Sequence, residues 1–313
     1  MRTHYIIYRV AQLLAIAIFL GGIHACEEEY QPPDFYTGPT HVVEGRLEWM
    51  EGGSAQAIVL LNRDLPFWNA IGPEDLLRAN VKNASVQITI NGEEYLLRRI
   101  CLNQLDATLR RLLAAQLGID VELLEDVDYC VYWHPVVGIQ TGDSAVLEIR
   151  IEDTVLMAKT VMPRFQALDT VYFVQRPFID SFYELRIRLA DADGPDYYRY
   201  FISVNGAAFR SFEHSVFNDW FFDGKSFELP LYNPYTTHYE LTDQRYGLFA
   251  RGDTVRLKWC HIDEEQFRFW QTVEYNRDNQ GPFSSYTRVY SNVHNGLGYW
   301  GALHCREYEL IAK

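Results

Sequence analysis

The chain has 313 residues, of which 48% are hydrophobic and 15% aromatic, enough for one large or two ordinary folded domains. Its 28 basic and 42 acidic side chains give a formal net charge of −14. Such a surface repels nucleic-acid phosphates and anionic lipid headgroups, so we expect no nucleic-acid partner and no electrostatic membrane contact.

The N-terminus has the pattern of a signal peptide. A basic start precedes an apolar run from Val10 to Ile23, which is shorter than the roughly twenty residues of a membrane-spanning helix. The run ends before Ala25 and Cys26, a junction that resembles a lipobox. We predict a signal peptide over 1–25 and lipidation of Cys26. The alternative is an ordinary secretory peptide that leaves this cysteine free.

A short tether follows the predicted anchor. Residues 26–40 contain three prolines, which favour an extended chain. The acidic run Glu27–Glu29 directly after Cys26 resembles an export signal for the outer face of the outer membrane in Bacteroidota. We therefore predict an outer-membrane protein that is lipid-anchored and exposed at the cell surface.

Four further cysteines are present, and an even number in an oxidising compartment suggests two disulfides with three possible connectivities. Pairing within each predicted domain gives Cys101–Cys130 and Cys260–Cys305. No pair of cysteines has the CxxC spacing, so a zinc or redox centre is not favoured.

Short segments that alternate or are rich in apolar residues, separated by turn residues, predict β-strands along most of the chain. The expected fold is all-β, with two immunoglobulin-like β-sandwich domains over 41–163 and 164–313. The predicted strands are Thr40–Trp49, Ala57–Asn62, Ser85–Ile90, Glu94–Leu97, Ala145–Ile151, Val155–Val161, Asp169–Gln175, Tyr183–Leu189, Tyr197–Val204 and Asp253–Cys260.

Two segments depart from the β pattern. Leucines at helical spacing from Leu102 to Leu117, closed by Gly118, predict a helical insertion over 102–129 in the first domain. It packs on the sandwich edge or docks a partner. Asp263 is a good N-cap for a short helix in the second domain.

Six segments, taken in order, resemble the Bacteroidota outer-membrane lipoprotein family called domain of unknown function 4249. They are HVVEG (His41–Gly45), VKNASV (Val81–Val86), DGPDYYRY (Asp193–Tyr200), FNDWFFDGKSF (Phe217–Phe227), HIDEEQFRF (His261–Phe269) and SNVHNGLGYWGA (Ser291–Ala302). The resemblance implies β-sandwich domains, frequent encoding beside a TonB-dependent transporter, and no established catalytic residues.

The chain contains neither HExxH nor GxSxG, and we expect no enzyme and no cofactor. His261 and His304 adjoin cysteines and would approach each other if those cysteines pair. We favour sheet neighbours over a metal site there.

Asp191, Asp193 and Asp196 surround a glycine and form a weak calcium candidate, to which Asn218, Asp219 and Asp223 could add oxygens. The alternative for the three aspartates is ordinary Asx turns.

Five aromatic residues in the second half are candidates for ligand or partner contact, because loop aromatics stack on sugars or fill a partner's groove. Burial in the second domain's core is the alternative for some of them. The candidates are Trp220, Phe221, Phe222, Tyr232 and Tyr235.

The function that these features favour is a non-catalytic surface lipoprotein, an accessory subunit of a TonB-dependent outer-membrane transporter or another surface complex. The expected partners are the membrane, through the lipid anchor, and an outer-membrane β-barrel. The alternative is a module that binds a glycan, a peptide or another ligand at the surface. An enzyme is the least favoured of the three.

Overall fold

A computed structural model describes residues 40–65, 73–111, 128–177, 179, 181–236, 243–278 and 288–313. The predicted signal peptide, Cys26 and nearly all of the tether lie outside these residues, as does 112–127 of the predicted insertion. Within the described part, no helix is long and apolar enough to cross a membrane.

The protein is mostly β-structure. Helix α1 spans Pro73–Ala79 and helix α2 spans Glu264–Asp278. The strands are β1 (His41–Met50), β2 (Ala55–Arg63), β3 (Ser85–Ile90), β4 (Glu93–Cys101), β5 (Cys130–Val137), β6 (Ser144–Ile151), β7 (Thr154–Val161), β8 (Thr170–Gln175), β9 (Phe182–Ala190), β10 (Tyr197–Val204), β11 (Val216–Asn218), β12 (Ser226–Leu231), β13 (Phe249–Ala250), β14 (Thr254–Ile262) and β15 (Leu297–Ile311).

One hydrogen-bonded sheet runs through strands from both halves of the chain. Its order is β11-β10-β14-β15-β1-β2-β5-β4-β3-β6-β7. At its middle β1 lies parallel to β15, with Val42 opposite Leu297 and Met50 opposite Cys305. In the second sheet, β9 pairs with β8, β12 and β13. The first and last strands of the described chain therefore join the two halves.

The two largest hydrophobic cores of the described residues lie along this continuous sheet. The first is built from residues between Val43 and Met162, together with Val293, Trp300 and Ala302 near the C-terminus. The second is built from residues between Leu168 and Ala312. Because the first core also takes Val293, Trp300 and Ala302 from beyond the predicted boundary near Pro163, that boundary and the immunoglobulin-like arrangement of two sandwiches stay predictions.

Both disulfides link residues that lie directly opposite each other on neighbouring antiparallel strands. Cys101 pairs with Cys130 across β4 and β5, and Cys260 pairs with Cys305 across β14 and β15. The connectivity is the one that pairing within each half predicts.

The helical insertion begins later than its leucine spacing predicts. Leu102–Gln104 forms a short 3₁₀ turn. Within the described residues of the insertion, the α-helix covers 107–111. Asp106 sets this start, because its carboxylate accepts hydrogen bonds from the backbone N–H of Thr108 at 2.8 Å and of Leu109 at 2.9 Å. Leu102 is instead buried against the outer face of the sheet.

Helix α2 begins where its cap predicts. The Asp263 carboxylate accepts a hydrogen bond from the Gln266 N–H at 3.1 Å, and its carbonyl accepts one from the Phe267 N–H at 3.0 Å. Phe267 packs with the Cys260–Cys305 disulfide and Leu303. The helix therefore covers this disulfide on the outer side of the sheet.

Candidate functional site: an aromatic loop on a carboxylate cluster

The loop between β11 and β12, residues 219–225, exposes two large apolar side chains. We call it the aromatic loop. Trp220 is 83% exposed and Phe221 is 90% exposed, the highest values for large hydrophobic side chains in the described part of the chain. Their rings lie 6.4 Å apart between centroids. Two adjacent exposed aromatics are a candidate contact surface.

Phe222, the third aromatic residue of the loop, serves as its anchor. It is only 5% exposed, and its ring stacks on Phe227 at 4.5 Å and lies 6.3 Å from Tyr198. Its N–H donates to the Asp219 carbonyl at 2.7 Å. Phe222 therefore belongs to the core and is not available for a contact.

The two remaining contact candidates are less accessible: Tyr232 is 40% exposed, and Tyr235 is partly buried. Tyr232 packs on Phe212 with ring centroids 5.2 Å apart. Tyr235 donates its hydroxyl hydrogen to the Ala208 carbonyl and lies under the Arg210 guanidinium, 4.8 Å from the ring centroid. The freely accessible pair is therefore Trp220 and Phe221.

Beneath the aromatic loop, three carboxylates come together out of water. Asp191 follows β9, Asp196 precedes β10, and Asp219 opens the loop. All three are buried, and one oxygen from each lies within 4.8 Å of the others. We call this group the carboxylate cluster.

Hydrogen bonds from the cluster fix the shape of the aromatic loop. Asp191 accepts from the Gly224 N–H at 3.0 Å and from the Tyr198 hydroxyl, and Asp219 accepts from the Asp196 N–H at 2.8 Å. Gly224 has a φ of 66°, and a Cβ there would collide with the Asp193 carboxylate. The loop is thus held at its base while its two aromatic side chains project outward.

One arginine forms an ion pair with the cluster. Arg164 Nε lies 3.0 Å from Asp196 Oδ1, and Nη2 of the same side chain donates to the carbonyls of Ala192 at 3.1 Å and Gly194 at 3.2 Å. Burial opposes ionisation of Asp196, but its neighbours His261 and Arg164 outweigh burial and hold its pKa below the usual value. For Asp219, burial and the charges of Asp191 and Asp196 raise the pKa.

The three residues of the carboxylate cluster are not the same three that the sequence suggests as a calcium candidate. Asp191 and Asp196 belong to the cluster, whereas Asp193 is exposed. Asp219 takes the third place, from a segment that the sequence offers only as an additional source of oxygens. Proximity along the chain favours Asp193, but the pairing of β10 with β11 brings Asp219 to the site.

His261 and His304 are opposite each other on β14 and β15 but have separate partners. His261 Nε2 lies 3.2 Å from the Gln166 carbonyl, and His304 Nε2 lies 2.9 Å from Glu51 Oε2. Neither belongs to the group of three ligating side chains found among the described residues. The two histidines are therefore cross-strand neighbours with different hydrogen-bond partners.

Comparison with known proteins gives one informative match. The family model described as Domain of unknown function (DUF4249) matches residues 31–309. No curated protein matches the sequence. The match spans both halves of the chain, including the aromatic loop and the carboxylate cluster.

Proposed function

The chain belongs to the DUF4249 family, and from this premise we propose that it is a non-catalytic, lipid-anchored protein of the bacterial cell surface that docks a partner through its aromatic loop. The proposed partner is a TonB-dependent β-barrel transporter of the outer membrane. The arrangement of two β-sandwich domains is part of this proposal, and the two separate hydrophobic cores support it.

The N-terminal sequence supports the proposed location. An apolar run that is too short to span a bilayer ends at Cys26, and three acidic residues follow it. A lipidated Cys26 would hold the chain at an outer-membrane surface, where an integral β-barrel would lie within reach of a short tether. The organism group, Bacteroidota, is proposed from the same acidic signal.

The exposure of Trp220 and Phe221 is the observation that carries the proposed docking. Tryptophan is enriched among the few residues that dominate binding energy at protein interfaces. Since the base of the loop is already held by Asp191 and Asp219, binding would require little further ordering of the backbone. Arranged in this way, the loop is suited to insertion into an apolar pocket on a partner.

A glycan-binding module is the second candidate. The same exposed indole could stack on a sugar ring, and acidic residues beside it could accept hydrogen bonds from hydroxyl groups. A flat stacking platform would act through Trp220 alone, whereas a protein pocket would engage both aromatic side chains. The two candidate functions therefore differ in how much Phe221 contributes to binding.

The test is co-purification after mild detergent extraction, with wild type and a Trp220→Ala, Phe221→Ala double variant. The wild type should co-purify with a large outer-membrane β-barrel. The amount of β-barrel recovered with the double variant should be at least tenfold lower. Leu96→Ala is the matched control, because Leu96 is also exposed, at 59%, but lies on β4 and outside the aromatic loop.

Wild type that purifies without a barrel, or a double variant that retains it in full, would contradict docking through the loop. Retention on a glycan panel that is lost with Trp220→Ala but kept with Phe221→Ala would favour the glycan-binding module instead.

A further inference from the structure

The carboxylate cluster carries more negative charge than its neighbours compensate. Its members are Asp191, Asp196 and Asp219, and Arg164 is the arginine that forms an ion pair with it in the described part of the chain. With His261 neutral, three ionised carboxylates and one guanidinium leave two formal negative charges in a buried site. Buried charge of this kind requires a counter-charge or a proton.

A nearby histidine gives a second, independent indication of an unfilled ligand position beside the cluster. His261 is 1% exposed, and its Nε2 is used by the backbone of Gln166. Its Nδ1 has no hydrogen-bond partner among the described residues and faces Asp196 Oδ1 at 3.9 Å. This separation is too long for a hydrogen bond, but two ligands of one metal ion stand roughly 3 to 4 Å apart.

We propose that the carboxylate cluster binds one divalent cation, held by oxygens of Asp191, Asp196 and Asp219 and faced by His261. The charge fits, because a divalent ion neutralises the two uncompensated negative charges. The spacing also fits, because ligands about 2.4 Å from a calcium ion stand up to roughly 4.8 Å apart, the limit within which the three oxygens lie.

The donor set indicates the class of cation. Three carboxylates make a hard oxygen site of the kind that takes Ca²⁺ or Mn²⁺, whereas participation of the imidazole nitrogen would favour Zn²⁺. Because oxygens outnumber nitrogen, Ca²⁺ is the first probe. The ion would join the turn that carries Asp196 to the base of the aromatic loop, and this inference does not depend on the proposed partner.

The test measures thermal unfolding of the purified mature chain after treatment with EDTA and its removal. With 10 mM CaCl₂, about a hundredfold above the ~0.1 mM dissociation constant of the tighter extracellular calcium modules, the Tm should rise by roughly 5 °C or more. Parallel samples with MnCl₂ and ZnCl₂ identify the preferred ion, and matched NaCl corrects for ionic strength.

Two variants locate the ion. Asp219→Asn should abolish the rise in Tm, while Asp193→Asn, which changes an exposed aspartate of the neighbouring turn, should retain it. Calorimetric titration of the wild type should give one ion per chain, and this result does not require any variant to fold.

If none of the three cations shifts the Tm or binds at one per chain, the site holds a proton and the proposal is overturned. A full shift that survives in Asp219→Asn, or one that is lost in Asp193→Asn, would also overturn it.

Discussion

At the scale of single residues, Asp263 has two structural roles at one buried carboxylate. It caps α2, and it accepts a hydrogen bond from the Thr160 hydroxyl at 2.5 Å. Thr160 lies on β7 of the first half, so this side chain links the two halves. Burial raises its pKa to about 7, far above the ordinary 3.8.

This pKa predicts a measurable dependence of stability on pH. The folded protein binds the proton of the Asp263 carboxyl group more tightly than the unfolded chain does. The protonated group therefore contributes its full stabilisation of the fold below about pH 4, and this stabilisation is lost as the pH rises through 7. Asp263→Asn keeps a good cap but cannot titrate. The difference in unfolding free energy between wild type and variant should change by up to about 4 kcal/mol between pH 4 and pH 8.

Urea unfolding at a series of pH values measures this difference, with Glu309→Gln as a control at an exposed acid. Parallel pH profiles for wild type and Asp263→Asn would show that the carboxyl group titrates normally in the folded state.

At the scale of elements, the neighbouring strands β4 and β5 are separated in sequence by the insertion over 102–129. The Cys101–Cys130 disulfide lies at the base of this insertion, directly where the two strands begin their pairing. The insertion's entry residue Leu102 is buried beside Val131 of β5. The covalent link therefore limits the freedom of the insertion in the unfolded chain.

Replacement of both Cys101 and Cys130 by alanine should destabilise the protein. The bridge closes a loop with a sequence separation of 29 residues, for which loop entropy predicts a loss of about 3–4 kcal/mol. Denaturant titration of the double variant beside oxidised wild type measures the loss. Equal midpoints would mean that the unfolded insertion is already compact without the bridge.

At the scale of the whole molecule, the two ends of the described chain meet at the centre of the larger sheet. β15 lies between β1 and β14, and it supplies Trp300 to the first core and Tyr308 to the edge of the second. The Trp300 indole donates to the Ala145 carbonyl at 3.1 Å. Neither core is complete until the last strand is in place, so folding of the first half depends on residues at the C-terminus.

The proposed anchor makes a prediction for the whole protein in its cell. Wild type expressed with its signal sequence should incorporate labelled fatty acid, remain in the membrane fraction and be digested by protease added to intact cells. Cys26→Ser should lose the label and leave the membrane fraction, because the mature chain repels anionic lipid. A periplasmic protein serves as the control for cell integrity.

Protein that carries the label but resists protease added to intact cells would place the anchor in the inner leaflet of the outer membrane. This outcome would contradict exposure at the cell surface. Unlabelled wild type would instead favour an ordinary secretory peptide.

The sequence alone determined the features that depend on near neighbours. Alternating side chains predicted most of the strands, Asp263 predicted the start of α2, and proximity predicted both disulfides. β15 was not predicted, because much of it is buried on both faces and shows no alternation. The other elements that were not predicted are β5, β11, β12, β13 and α1.

Only the tertiary structure decided the features that depend on distant strands coming together. The parallel pairing of β1 with β15 joins segments from opposite ends of the chain, and no local pattern specifies it. Consecutive aromatics in a turn have no periodicity, so burial of Phe222 beside two exposed neighbours follows only from packing. For the same reason, Asp219 completes the carboxylate cluster, and Asp193, which is nearer in sequence, does not. The packing of apolar surfaces away from water decides which residues meet, and separation along the chain does not.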